Sequence, residues 1–100
     1  MTFDKHNLPT KFLRPPVKAT HEHAIETWPR NWSVYFIARH WSGGEKGCLT
    51  TIAKWLQQVD PQPKPLTRQR VQAIRDSVSW ALRDYSDGEL GINTDTDAVK

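Results

Sequence analysis

Residues able to carry chemistry are few in this chain, and their spacing suits little of it. His21-Glu22-His23 sets two imidazoles at i and i+2. That spacing shares a face on a strand but not on a helix, where zinc ligands stand at i and i+4. Cys48 is the sole cysteine, and pairing it with His40 would still leave no third group to orient the imidazole. Ser42-Gly43-Gly44-Glu45-Lys46 is glycine-rich, but Gly47 and Cys48 follow Lys46 where a phosphate loop needs Ser or Thr. It reads as a loop that ends a helix. The acidic residues are scattered over helix surfaces and the C-terminal end, so no carboxylate pair is available for acid–base work. The sequence therefore predicts no catalytic residue, no metal ligand and no cofactor. A non-enzymatic protein is expected.

Binding chemistry is better represented. Five tryptophans (Trp28, Trp32, Trp41, Trp55, Trp80) stand in 100 residues, and Trp is enriched at interaction hot spots. From Thr67, a helix over Arg68–Asp87 fits the pattern, with Thr67 as its cap and Gly88 closing it. At about 100° per residue, Val71, Ile74, Val78, Ala81, Leu82 and Tyr85 gather on one side. Trp80 falls about 180° from Val71, beside Ala73 and between Asp76 and Asp84. An aromatic there either covers the returning N-terminal segment, through residues such as Phe3, Phe12 and Leu13, or anchors a partner. The expected partner site is Trp80, Ala73, Asp76 and Asp84, joined by Phe12 and Leu13.

The same helix opens on Thr67, Arg68, Gln69 and Arg70, with Arg75 one turn further. This is where a helix-turn-helix protein would touch base edges, with the basic balance supplying phosphate affinity. Two features oppose that reading. Asp60–Leu66 is a seven-residue connection with three prolines where a tight turn is expected, and Asp76 and Asp84 interrupt the basic stripe. DNA binding through these residues is the alternative expectation.

The elements that must position these groups can be read in outline. Residues 1–19 carry Pro9, Pro15 and Pro16 among Phe3, Leu8, Phe12, Leu13 and Val17, which predicts an extended arm lying along something. A short helix is expected from Thr20 to Trp28, stopped by Pro29. A second is expected over Trp32–Ser42, capped by Asn31 and central in the core, with a strand at Ser33–Ile37 as the local alternative. A third fits Thr50–Val59, with Leu49, Ile52, Ala53, Leu56 and Val59 as its stripe and Trp55 on its flank. Pro61-Gln62-Pro63-Lys64-Pro65 reads as an extended spacer. The predicted fold is mostly α, a small three- to four-helix domain over 20–88 with its Pro-rich spacer at 60–66. The extended arm precedes it, and a flexible acidic tail follows at 89–100. The predicted core is Tyr35, Phe36, Ile37, Ile52, Leu56, Val71, Ile74, Val78 and Leu82.

Composition sets the class. The formal net charge is +3, but residues 1–86 hold 13 basic and 7 acidic residues, while Lys100 faces Asp87, Glu89, Asp95 and Asp97 beyond them. A basic body argues against a mimic of nucleic acid, which would be acidic. The apolar runs are far short of the roughly 18–20 residues that span a bilayer, and no signal peptide opens the chain, so a cytoplasmic location without membrane association is expected. No small-molecule substrate is expected either. Small, cysteine-poor, Trp-rich accessory proteins are common in phages and mobile elements, an analogy of class only. The expected function is to bind, and modify or inhibit, a larger host protein or nucleoprotein machine, a nucleic-acid-processing enzyme among the targets.

Overall fold

The computed structural model describes residues 2–15, 27–43 and 47–86. Three helices organise them: α1 (Trp28–Arg39), α2 (Cys48–Val59) and α3 (Arg68–Ala81). Each packs on the other two. Among the described residues there is no β-strand, only an isolated parallel bridge between Phe3 and Trp41. The mostly helical class and the extended arm are as the sequence predicts. The expected helix over Thr20–Trp28 and the acidic tail at 89–100 fall outside the described residues, Thr27 and Trp28 apart.

Helix α1 begins and ends earlier than the sequence predicts. Pro29 does not stop a helix at Trp28; it occupies the first turn of α1. A proline costs nothing there, because the amide it lacks would have no intrahelical acceptor. Asn31 is accordingly inside the helix rather than its cap, its N–H donating to Thr27 O at 2.9 Å. At the other end, the predicted run to Ser42 is cut at Arg39 by the arm. Phe3 N–H donates to His40 O and Ser42 N–H to Phe3 O, both at 2.9 Å, which draws Trp41 out of helical geometry into the bridge. The helix is buried on most sides, through Trp28, Trp32, Ser33, Val34, Tyr35 and Ile37, which suits its central place.

Helix α2 starts at Cys48, where Gly47 takes a left-handed φ of 84°, a conformation that glycine adopts without a Cβ penalty. Ile52 and Leu56 are buried as expected, and Leu49, Ala53 and Val59 are half-buried. Trp55 lies deeper than a flank position implies, because the arm covers it. Its indole Nε1–H donates to Pro9 O at 2.6 Å, and its ring meets Phe12 edge-on at 6.0 Å. Thr67 caps α3 as predicted, its hydroxyl oxygen accepting from Arg70 N–H at 3.2 Å. Val71, Ile74, Val78 and Leu82 form the buried face. The helix stops at Ala81, short of the predicted Asp87, and Leu82 to Asp84 form a turn. The 100° register lapses beyond it, and Tyr85, predicted on the core face, is exposed; Ala81, the last helical residue and at the edge of that face, is exposed as well.

The arm belongs to the core more than its composition implies. Phe3 is buried and sits edge-on to Phe36 at 5.9 Å. Leu13 N–H donates to Ser33 Oγ at 2.6 Å, and that hydroxyl donates to Pro29 O at 2.6 Å. Ser33 is fully buried, so both partners are needed to offset its desolvation. Asp4 and Asn7 close a local turn, with His6 N–H donating to Asp4 Oδ1 at 2.7 Å. The arm thus crosses both α1 and α2, and its apolar side chains complete the core. Phe36, expected in the core, is half-buried at the edge of this cluster, as is Trp41.

Candidate functional site

Two surfaces of α3 stand out, one at each end. The C-terminal one is centred on Trp80, which is 68% exposed while the other four tryptophans are buried or half-buried. The reason is local: Val71, Ile74, Val78 and Leu82 hold α3 against the bundle, and helical geometry turns residue 80 outward. Arg83 lies over the indole, its guanidinium carbon 4.2 Å from the ring centroid, while its Nη1 donates to Trp80 O at 2.9 Å. Ala73, Asp76 and Asp84 are exposed along the same helix and the turn after it. Asp76 meets Arg75 at 3.4 Å, an exposed contact between neighbours of the kind that adds little stability.

Phe12 and Leu13, which the sequence groups with Trp80, are placed elsewhere. Phe12 packs on Trp55 and the Leu13 amide is held by Ser33. Phe3 lies on Phe36. Among the described residues the arm therefore does not cover Trp80, and Phe3, Phe12 and Leu13 are not its intramolecular partners.

The N-terminal surface is basic. Arg68, Gln69 and Arg70 are exposed on the first turn of α3, Thr67 is engaged as the cap, and Arg75 is half-buried beside Asp76. Arg30 of α1 joins this group, a residue the sequence gives no reason to select, because only the packing of α1 on α3 brings it near Arg70. Its guanidinium pKa is lowered by burial first and by Arg70 second, with Asp60 acting in the opposite direction. Arg30 lines a groove of about 370 Å³ together with Phe12, Leu56, Asp60, Pro63 and Lys64. One side of the groove is the 60–66 spacer, fixed to α2 by a two-way clamp. Gln57 Nε2 donates to Gln62 O at 2.9 Å, and Gln62 N–H donates to Gln57 Oε1 at 3.1 Å.

No family model, curated protein or solved structure matches this chain. Its chemistry must be argued from geometry. Among the described residues, no group of three His, Cys, Asp or Glu side chains could hold a metal ion, and no helix is long and apolar enough to cross a membrane. Cys48 is buried at the start of α2, and the His40 ring stacks on Phe36 at 4.5 Å. His21 and His23 lie outside the described residues.

Proposed function

We propose that this protein is a non-enzymatic accessory protein that docks onto a larger protein or nucleoprotein machine through the outward face of α3, and modifies or inhibits it. One observation carries the reading: the core closes without Trp80, which stands 68% exposed on a well-packed helix. A large aromatic in water contributes little to folding, yet a fully desolvated Trp is among the strongest contributors to an interface. Arg83, stacked on the ring, adds the other side-chain type enriched at such sites. Ala73 leaves room for close approach, and Asp76 and Asp84 supply an acidic rim, so the partner is expected to offer an apolar pocket edged with basic groups. Size and tryptophan usage support a phage or mobile-element origin with a nucleic-acid enzyme as target. A sole, buried cysteine suits a reducing cytoplasm.

The test is affinity capture from cells of the source organism, run in parallel with wild-type protein and Trp80→Ala. The wild type should retain one stoichiometric partner. Losing an anchor worth about 2 kcal/mol weakens binding roughly 30-fold, so the variant should release that partner while its thermal melt stays unchanged. Equal retention by both proteins refutes the proposal, and so does an unfolded variant.

The basic end of α3 favours a second reading, a helix-turn-helix-like DNA-binding regulator using Thr67, Arg68, Gln69, Arg70 and Arg75. It is the weaker one. Thr67 is occupied as a cap, and the spacer clamped to α2 replaces the tight turn on which that motif depends.

A further inference from the structure

The groove beside Arg30 combines features that call for a ligand of mixed character. Arg30 is half-buried, and its Nε–H donates to Asn31 Oδ1 at 3.0 Å, which orients the guanidinium. Among the described residues it makes no ion pair within 4.0 Å. Lys64 lines the same groove, and Arg70 is close enough to act on Arg30 electrostatically. Among the described residues lining the groove, Arg30 and Lys64 stand against Asp60 alone, an excess that an anion would neutralise. Beside them, the walls are apolar and aromatic: Phe12, Leu56, Pro63 and Leu66. Trp55 backs the Phe12 ring, and the Gln57–Gln62 clamp fixes the opposite side. An inorganic anion would leave the apolar walls unused, and an aliphatic ligand would leave the cations unpaired.

We propose that this groove holds one nucleotide of a single-stranded nucleic acid, its base against Phe12, Leu56 and Pro63 and its phosphate on Arg30 and Lys64. The volume, about 370 Å³, is near the lower end of ligand pockets and suits one base rather than a stacked pair. A base reaches a cleft of this kind only when it is unpaired. The strand has a way onward. A second, shallower depression shares Gln57 and Leu66 with the first and carries Lys54 and Arg68, which would receive the next phosphate. This site is separate from the Trp80 face, roughly 15 Å away along α3 from Arg70 at 1.5 Å per residue, and the inference does not depend on that docking.

The experiment is fluorescence anisotropy with a labelled oligothymidylate of about a dozen nucleotides, using the full chain. Binding should weaken with salt. Single strands lose about 0.7 in log slope per phosphate contact, so the two groove cations alone predict a slope near −1.4, and nearer −2.8 if Lys54 and Arg68 also engage. Arg30→Gln and Lys64→Gln should each weaken binding several-fold. Phe12→Leu should weaken it about tenfold through lost stacking, and Asp60→Asn should tighten it. Lys64 and Asp60 are exposed, so their variants test the groove without endangering the fold. Trp80→Ala should bind like wild type. Competition separates the ligand sources: an unlabelled strand should displace the probe, whereas a free mononucleotide should do so only at much higher concentration. Several results overturn the proposal: no binding at low salt, tighter binding of a duplex, displacement by oligoglutamate as effective as by the strand, or indifference to the Lys64 and Asp60 substitutions.

Discussion

Replacing Phe3 by alanine isolates the contribution of the arm. The substitution removes a ring that is 4% exposed and edge-on to Phe36 at 5.9 Å. It leaves the backbone of the bridge intact, since the hydrogen bonds to His40 O and from Ser42 N–H use main-chain atoms. A buried Phe→Ala change costs about 3–5 kcal/mol, partly from lost transfer energy and partly from the cavity left behind. A domain of this size has only about 5–15 kcal/mol in total. With a urea slope of about 1–3 kcal/mol per molar, the midpoint should fall by on the order of 2 M. Urea titrations followed by tryptophan fluorescence and far-ultraviolet circular dichroism would measure it, and the slope should stay constant. A midpoint shift below about 0.5 M would mean that the ring merely rests on the surface. The account of the arm as part of the core would then be wrong.

Two further substitutions probe how the arm is attached. Ser33→Ala strands the half-buried Leu13 amide and frees the Pro29 carbonyl, so a loss of about 2 kcal/mol is expected, with faster hydrogen exchange at Leu13. Trp55→Phe keeps most of the packing but deletes the 2.6 Å bond to Pro9 O. It should cost about 1 kcal/mol in the same titration, and a cost near zero would show that this bond contributes nothing.

Much of the fold is legible in the sequence because two of its helices obey a simple period. The buried faces of α2 and α3, the Thr67 cap and the outward position of Trp80 all follow from spacing on a helix. The errors arise where tertiary contacts override local signals. Pro29 reads as a stop from one side and as a favoured first-turn residue from the other, and sequence alone does not say which side the helix occupies. Trp41 leaves α1 because Phe3 pairs with it, a contact 38 residues away that no local window contains. Nothing local marks Ser33, since the arm supplies the donor that makes it a buried junction. Arg30 is equally silent, since its neighbours Arg70, Lys64 and Asp60 come from later parts of the chain.

The arm also has a bearing on the order of folding events. Its described residues form no helix, and its anchors are Phe36 and Ser33 on α1, Trp55 on α2 and Trp41 after α1. Those docking points exist together only once the two helices have met. Residues synthesised before the helices are therefore among the last to find their places. Contacts made after the transition state act mainly on the unfolding rate, so the arm serves as a latch: it sets how long the folded protein persists more than how quickly it forms.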